Sequence, residues 1–225
     1  MDGFIDPVRD PEQYKAYKDK QLPFSAFEVI QQYCHHRDII FFAPAHEEKA
    51  LGFLESIKVP VFKIGSGEVG NCAFIEKVAK IGKPVFLSTG MYSKEDLDNV
   101  VNLFKFVGNP NLVLMHCVTE YPTPIERVNL NRINELKRYG CLIGYSDHSW
   151  SRDFSDIAIV MGVSVLERHI AIFDEEDDGR RDINVSATLA TLRQHVYHRN
   201  NFYKALYTDT TAWARKNLET GLRPE

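Results

Sequence analysis

Short apolar runs alternate along the chain with segments of helical periodicity, and this alternation limits the folds that the chain can adopt. The runs are rich in β-branched and aromatic residues. They are Ile39–Ala43, Val61–Ile64, Val85–Ser88, Leu112–Cys117, Leu142–Ser146 and Val163–His169. Strands that are apolar on both faces and separated by helices predict a parallel sheet covered by helices.

The helical segments have recognisable ends. Ser93 is an N-cap residue with an acidic residue, Asp96, three positions later. Two further helices are predicted over Ser25–His36, before the first run, and over Ala187–Tyr207, after the last run. Glycines follow four helical segments, at positions where a helix often ends in a residue of positive φ: Gly82, Gly108, Gly140 and Gly162.

Two closures of such a sheet are compatible with the alternation, an open doubly wound sheet and a closed barrel. No glycine-rich phosphate fingerprint follows the first run, and polar residues cluster at the C-terminal ends of the runs, which favours the barrel. Six runs are found, whereas a complete barrel has eight strands. We therefore predict an incomplete (β/α) TIM-type barrel of about six strands, as a single domain over residues 1–225 with a polar tail at 208–225.

The composition, 44% hydrophobic and 26% charged, is that of an ordinary globular protein. The net charge of −4 and the absence of a basic run argue against a nucleic-acid partner. The longest apolar stretch, Ile157–Leu166, is too short to span a bilayer, and the N-terminus lacks the apolar core of a signal peptide. We expect a cytoplasmic protein with reduced, buried thiols at Cys34, Cys72, Cys117 and Cys141, which have no metal-binding or redox spacing.

Lys63 alternates with Phe62 and Ile64 in the second run. If these two residues pack against helices, Lys63 points into the barrel, where a buried ammonium group needs an anionic partner. The turn that follows, Gly65 to Glu68, adds backbone amides and the Ser66 hydroxyl. An isolated lysine often extends to the rim instead. Beside this turn, an anion site is the preferred interpretation.

Two histidines end consecutive runs. Ser146 and His148 share a face of the fifth run, and Glu167 and His169 share the inward face of the sixth. We therefore expect the two imidazoles to be neighbours at the mouth of the barrel. Neutral imidazoles are good ligands for a divalent metal. A single histidine at a strand end is usually a hydrogen-bonded core residue, so the spacing alone favours a metal site only modestly.

The fourth run ends in a loop that two prolines make rigid, and Tyr121 in this loop can offer its hydroxyl to a polar ligand. Cys117 and His116 are adjacent and suggest a nucleophile with its base. Consecutive strand residues point to opposite faces, however, so we reject this pair.

Six segments follow one another between about residues 14 and 207: KIGSGEVGN, GKPVFLSTGM, LMHCVTEYPTP, VNLNRI, IGYSDHS and VLERHIA. In this order they resemble the N-acetylneuraminate (sialic acid) synthase family, which includes the pseudaminic acid, legionaminic acid and spore-coat saccharide synthases. Each segment alone is a weak signal, whereas the joint order is highly specific. The resemblance covers nearly the whole chain.

The resemblance implies a transferase of carbohydrate biosynthesis. It would condense phosphoenolpyruvate with an amino-sugar aldehyde, N-acetylmannosamine or a related sugar, to give a nonulosonic acid and phosphate. It also implies a divalent metal that polarises the aldehyde, manganese with magnesium as the alternative. By motif, Lys63, Ser66 and Ser146 correspond to phosphoenolpyruvate-binding positions, Glu68 to an acid beside the reacting centre, Tyr121 to a sugar contact, His148 and His169 to the metal ligands, and Asp182 to an aspartate that binds sugar hydroxyls and metal-bound water.

The sequence also departs from the family pattern. Segments carrying the first-strand glutamate, the second-strand lysine and the small C-terminal antifreeze-like domain are not found. Ala43 to Ala45 stands where the family has Ser-Thr-Pro, Thr119 replaces a serine or asparagine, and Phe173 to Gly179 is unusually acidic for the approach of an anion. We expect open barrel edges that a homo-oligomer or a partner chain covers, and little activity from the chain alone.

Two hypotheses follow from the resemblance and its departures. The first is a synthase whose remaining strands come from another polypeptide or from an upstream segment. The second is a catalytically impaired homologue that acts as a metal-binding, ligand-binding or assembly module. The order of the motifs disfavours a third, an unrelated metal-dependent aldolase or hydrolase.

Overall fold

The computed structural model describes residues 11–19, 21–151, 153–171 and 182–207. Its strands are β1 (Phe62–Ile64), β2 (Val85–Ser88), β3 (Leu112–His116), β4 (Leu142–Asp147) and β5 (Val165–Arg168). Its α-helices are α1 (Pro11–Asp19), α2 (Phe24–His36), α3 (Glu48–Ser56), α4 (Cys72–Lys80), α5 (Lys94–Phe106), α6 (Arg132–Lys137), α7 (Asp153–Val160) and α8 (Leu189–Tyr207). Across these ranges, no helix combines the length and hydropathy of a membrane-spanning segment.

The five strands form one parallel sheet in the order β1-β2-β3-β4-β5. A doubly wound sheet reverses its strand order at a switch point, and this sheet does not. The sheet is also curled. Lys63 on one edge strand and Glu167 on the other form an ion pair of 3.3 Å, which a flat sheet would not allow. Curling with sequential strand order is the geometry of a barrel, so the predicted incomplete TIM-type barrel is confirmed.

The strand predicted over Ile39–Ala43 is absent, which reduces the six predicted strands to five within the described residues. A single parallel bridge from Pro44 to Lys63 marks where it would lie. Proline has no amide hydrogen, so Pro44 can pair with β1 only through its carbonyl group. Ile39 and Ile40, before this bridge, are exposed at 60% and 68%.

The predicted helix boundaries agree closely with the structure. Ser93 and Asp96 form a reciprocal capping box at the start of α5. Helices α2 and α8 match the two helices predicted at the ends of the chain. All four predicted helix-ending glycines have positive φ, between 73° and 84°. The predicted tail at 208–225 lies outside the described residues.

The core lies between the sheet and its helices. Phe62 and Ile64 of β1 have exposures of 1% and 0% and pack into it, whereas Lys63 between them faces the opposite side. The four cysteines are free thiols, as expected. The prediction that all four are buried holds only for Cys117: Cys34 and Cys141 are partly exposed, and Cys72, at the start of α4, lies at the surface.

A buried ion pair joins β4 to β5. Asp147 and Arg168 are register partners, and Oδ2 of Asp147 lies 2.5 Å from Nη1 of Arg168. Asp147 is fully buried, and it also accepts hydrogen bonds from the backbone amide and hydroxyl of Ser149 and from the hydroxyl of Ser155 on α7. These contacts place Asp147 on the helix-facing side of the sheet.

Replacing Asp147 by alanine is expected to lower the free energy of unfolding by roughly 3–5 kcal/mol, because Arg168 would keep a buried charge without its counter-ion. Urea denaturation followed by circular dichroism measures the loss. Glu76→Ala removes a partly exposed carboxylate paired with Lys80 on the surface of α4 and is the matched control, with a nearly unchanged urea midpoint expected. Equal losses for the two variants would contradict this account of the pair.

Candidate functional site

A cavity of about 460 Å³ opens at the C-terminal ends of the strands, where barrel active sites are built. All five strands or the loops that follow them contribute to its wall. The lining residues include Phe42, Lys63, Ser66, Ser88, Cys117, Tyr121, Ser146, His148, Glu167 and His169. Six of these, Lys63, Ser66, Tyr121, Ser146, His148 and His169, are predicted site residues.

Strand alternation explains why the polar side chains meet there. Ser146 and His148 flank the helix-facing Asp147, and Glu167 and His169 flank its partner Arg168. Successive side chains of a strand point to opposite faces. Since Asp147 and Arg168 face the helices, the residues on either side of each of them face the cavity.

The two imidazoles are adjacent, as expected from their strands. The ring centroids of His148 and His169 lie 5.3 Å apart. Tyr121 stacks on His148 at 4.1 Å and meets His169 edge-on at 5.7 Å. Asp182 approaches from the loop before α8, with Oδ2 at 3.9 Å from Nδ1 of His169. The predicted metal-site residues are therefore gathered at one place.

Hydrogen bonds determine the tautomer of His148. Its Nδ1 lies 2.8 Å from the Val118 carbonyl, which can only accept, so Nδ1 carries the proton. Burial lowers the pKa of His148 against the opposing effect of this bond, and the neighbouring His169 lowers the pKa further. The neutral ring therefore has its lone pair on Nε2, which lies 3.1 Å from Oγ of Ser146 and competes with the nearer Glu167 carboxylate for the single hydrogen of that hydroxyl.

This donor set fits a divalent metal held mainly by two imidazoles. A ligating histidine commonly donates its other N–H to a carbonyl, as His148 does to Val118. Over the described ranges, no three His, Cys, Asp or Glu side chains are placed to hold a metal together. Asp182 is close to His169 and would support the pair, while a substrate oxygen and water would fill the other positions.

Lys63 points into the cavity, as predicted from its alternation with Phe62 and Ile64. Its ammonium pairs with Glu167, and the other oxygen of Glu167 accepts the Ser146 hydroxyl at 2.7 Å. The inward direction of Glu167 follows from its strand position. Its contact with Lys63 was not predicted, because it joins two strands that are not neighbours.

Ser66 is held from two sides. Its Oγ accepts the Gly90 amide hydrogen at 3.1 Å and lies 3.3 Å from Sγ of Cys117. Gly90 fits closely there, because a Cβ atom would lie only 3.0 Å from both the carbonyl oxygen and the sulfur of Cys117. Cys117 thus belongs to the cavity wall, a role that its apolar strand position had hidden.

His116 points away from Cys117, in agreement with the rejected nucleophile–base pair. Its Nε2 lies 2.8 Å from the Val128 carbonyl, and its ring stacks on Tyr145. Burial lowers the pKa of His116 despite this hydrogen bond. His116 is therefore a core histidine of the helix side.

Neither of the two predicted catalytic residues is among the residues that line the described cavity: Asp182 lies beside His169, and Glu68 is engaged elsewhere. For Glu68 the contacts are explicit. Its side chain is 1% exposed and accepts hydrogen bonds from Asn71, at 2.8 Å, and from His46, at 3.1 Å. It lies one residue beyond the turn of Gly65 to Gly67, which does line the cavity. Its role beside the reacting centre stays a prediction.

Tyr121 covers the imidazole pair from a loop with a cis peptide bond to Pro122. Burial raises the pKa of Tyr121 to about 12, and the nearby Cys117, Asp182 and Glu167 act in the same direction. The hydroxyl is therefore neutral at physiological pH and can donate a hydrogen bond.

Ser88, at the end of β2, also lines the cavity although it was not predicted as a site residue. Its place in the STGM segment was the signal that could have identified it.

Comparison with known proteins agrees with this geometry. Residues 6–210 match the NeuB family. The chain belongs to the NeuB family. It is 37% identical to the human N-acetylneuraminate-9-phosphate synthase over 68% of this chain and 44% of that protein. It is 30% identical to the N,N'-diacetyllegionaminic acid synthase of Campylobacter jejuni over 73% of this chain and 50% of that protein.

A solved structure shows the same fold at greater coverage. The sialic acid synthetase of Leptospira borgpetersenii serovar Hardjo-bovis, crystallised with citrate, superposes with a TM-score of 0.80 and 26% identity. The superposition covers 97% of this chain and 79% of that one. The chain spans about half the length of the curated relatives it matches. Their names identify a family of enzymes, the synthases of sialic and related acids.

In nitrogen-correlated NMR spectra, His148 is expected as the neutral Nδ1–H tautomer at pH 7, with a titration midpoint below the value of about 6.5 for free histidine. Burial outweighs the carbonyl contact that favours the charged ring. The His148→Asn spectrum identifies the resonance by its disappearance. A proton on Nε2, or a midpoint above that of free histidine, would contradict the assigned geometry.

Proposed function

We propose that the protein catalyses the condensation of phosphoenolpyruvate with an N-acetylated amino-sugar aldehyde, giving a nonulosonic acid and inorganic phosphate. The single observation that supports this most strongly is the shared cavity, in which Lys63 and Ser146 lie beside the His148–His169 pair. The Lys63 ammonium and the Ser146 hydroxyl can bind an anionic substrate. A divalent metal on the two imidazoles could bind a carbonyl oxygen. N-acetylmannosamine or a related sugar is the proposed acceptor.

The anion-binding end of the site would hold phosphoenolpyruvate. Lys63 contributes the positive charge from β1, and Ser146 contributes a hydroxyl from β4. The Gly65–Gly67 turn presents backbone amides, and Ser66 within it is kept in place by Gly90. Charge-assisted hydrogen bonds of this kind are stronger than neutral ones and can position the enol carbon for attack.

The other end of the site would hold the sugar. Tyr121, with its neutral hydroxyl, is proposed to bind a sugar oxygen, and Asp182 to bind sugar hydroxyls next to His169. A manganese ion, or magnesium as the alternative, bound by His148 and His169 would polarise the aldehyde carbonyl. The Tyr121 ring stacks on His148 and so forms part of the wall at this end of the cavity.

The reaction forms one carbon–carbon bond and breaks one ester linkage. Carbon 3 of phosphoenolpyruvate attacks the aldehyde carbon, and the aldehyde oxygen takes up a proton to become a hydroxyl. Water then adds at carbon 2, and phosphate leaves as the keto group forms. Glu68 and Asp182 are the residues proposed to move protons. Glu68, bound by His46 and Asn71, would act on the reacting centre from behind the Gly65–Gly67 turn.

We further propose that a homo-oligomer or a partner chain completes the barrel. The described sheet has five strands against the eight of a closed barrel, so β1 and β5 are edge strands. Exposed apolar side chains accompany the β1 side, among them Ile39 and Ile40 before it and Val29 and Tyr33 on α2. Unpaired edges beside apolar surface favour association.

The phosphate-release assay tests the proposed function. Phosphate is measured with phosphoenolpyruvate, manganese and a panel of N-acetylated hexosamines, and release that requires both manganese and a sugar is the expected outcome. Full manganese binding without any release would favour the alternative of a binding or assembly module. That alternative draws support from Glu68, whose carboxylate is already engaged outside the described cavity wall.

The isolated 225-residue chain is expected to release phosphate slowly. The segment that carries the first-strand glutamate of the family is not found in the sequence, and loss of one acid–base group typically costs a factor of about 10² to 10⁴ in rate. A polypeptide carrying the first two strands of a related synthase, added in trans, should raise the rate. Rapid turnover by the isolated chain would contradict the proposal that the barrel needs completion.

His148→Asn and His169→Asn are each expected to weaken manganese binding by more than about 100-fold, since losing an outer-shell partner alone typically costs 10- to 100-fold. Titration of free manganese by electron paramagnetic resonance measures this without depending on turnover. His36→Asn, at the exposed end of α2, is the matched control and should bind manganese like the parent chain. Unchanged affinity in the two cavity variants would rule out the proposed metal site.

A further inference from the structure

The ion pair between Lys63 and Glu167 crosses the concave face of the sheet. It joins β1 and β5, which stand at opposite edges and share no backbone hydrogen bonds. The Lys63 side chain is 13% exposed and that of Glu167 is 35% exposed. A partly buried ion pair is screened less by water than a surface pair, so its attraction holds the two side chains in position more strongly.

The same carboxylate also engages Ser146. A serine hydroxyl has one hydrogen to donate, and Ser146 donates it to Oε1 of Glu167 at 2.7 Å while Oε2 faces Lys63. Glu167 thus contacts two of the three side chains proposed to bind phosphoenolpyruvate, Lys63 and Ser146 but not Ser66. A carboxylate is also one of the two anionic groups that phosphoenolpyruvate itself carries.

We propose that Glu167 is an internal counter-ion that occupies the anion site when it is empty and is displaced by the carboxylate or phosphate of the ligand. The inference rests on the proposed function, because it assumes that Lys63 and Ser146 are the groups that bind the ligand. The ligand class is a small phosphorylated or carboxylated anion. Glu167 is accordingly a competitor of the ligand for Lys63 and Ser146 and is not itself a ligand-binding group.

Displacement requires only a side-chain rotation. Glu167 lines the open cavity and is partly exposed, so its carboxylate can turn towards solvent while the β4–β5 register stays fixed by Asp147 and Arg168. The ligand must, however, break the contact with Lys63 before it binds. The apparent affinity is then reduced by the fraction of molecules in which Lys63 is available.

Isothermal titration of the 225-residue chain with phosphoenolpyruvate and with inorganic phosphate, in the presence of EDTA, tests the inference. Glu167→Gln keeps the shape and removes the charge, so it should bind both ligands about tenfold more tightly than the parent. Glu76→Gln removes one equivalent charge from the Glu76–Lys80 pair on α4 and should bind like the parent. A loss of structure would weaken binding, so tighter binding cannot come from damage to the fold.

Two further variants make the outcome decisive. Glu167→Asp shortens the side chain away from Lys63 and should also tighten binding, which guards against misfolding of the glutamine variant. Adding Lys63→Met to Glu167→Gln should abolish the gain. Equal or weaker binding by both Glu167 variants would overturn the inference while leaving the anion site intact. If no protein in the series binds either anion, the anion site of the proposed function fails together with the inference.

Discussion

The buried pair of Asp147 and Arg168 is the contact on which the candidate site depends. It fixes the register of β4 against β5 from the helix side, with Asp147 also bound by Ser149 and Ser155. A shift of one residue would turn every side chain of a strand to the other face. Since the proposed metal ligands follow Asp147 and Arg168 directly along the chain, this register decides whether the two imidazoles meet at all.

A second constraint is the curvature of the sheet. The concave face brings the first and last strands close enough for Lys63 to reach Glu167. In a flat parallel sheet, strands lie about 4.8 Å apart, so two strands with three others between them could not exchange such a contact. Curvature therefore converts five separate strand ends into one cavity, and the polar groups of β1 and β5 become neighbours without being paired in the ladder.

Periodicity was sufficient to predict the inward direction of Lys63, Ser146, His148 and His169, because alternation is a local property of a strand. It also predicted the helix ends, since a capping serine and a C-terminal glycine act within one turn. It failed over Ile39–Ala43, where the apolar run forms no strand and only a single bridge from Pro44 to Lys63 follows it. The Lys63–Glu167 contact and the engaged state of Glu68 depend on distances between remote segments, which no local pattern contains.

The charges around the cavity explain why a metal and an anion would belong to one site. Burial lowers the pKa of His148 and raises that of Tyr121, so both side chains are neutral at physiological pH. Lys63 is balanced by Glu167, and Arg168 by Asp147 behind the sheet. While Glu167 pairs with Lys63, the described residues thus offer little net positive charge to a phosphorylated carboxylate. A divalent cation on the two imidazoles would supply that charge, and at the short range of a partly desolvated cavity its attraction for an anion is much stronger than in water.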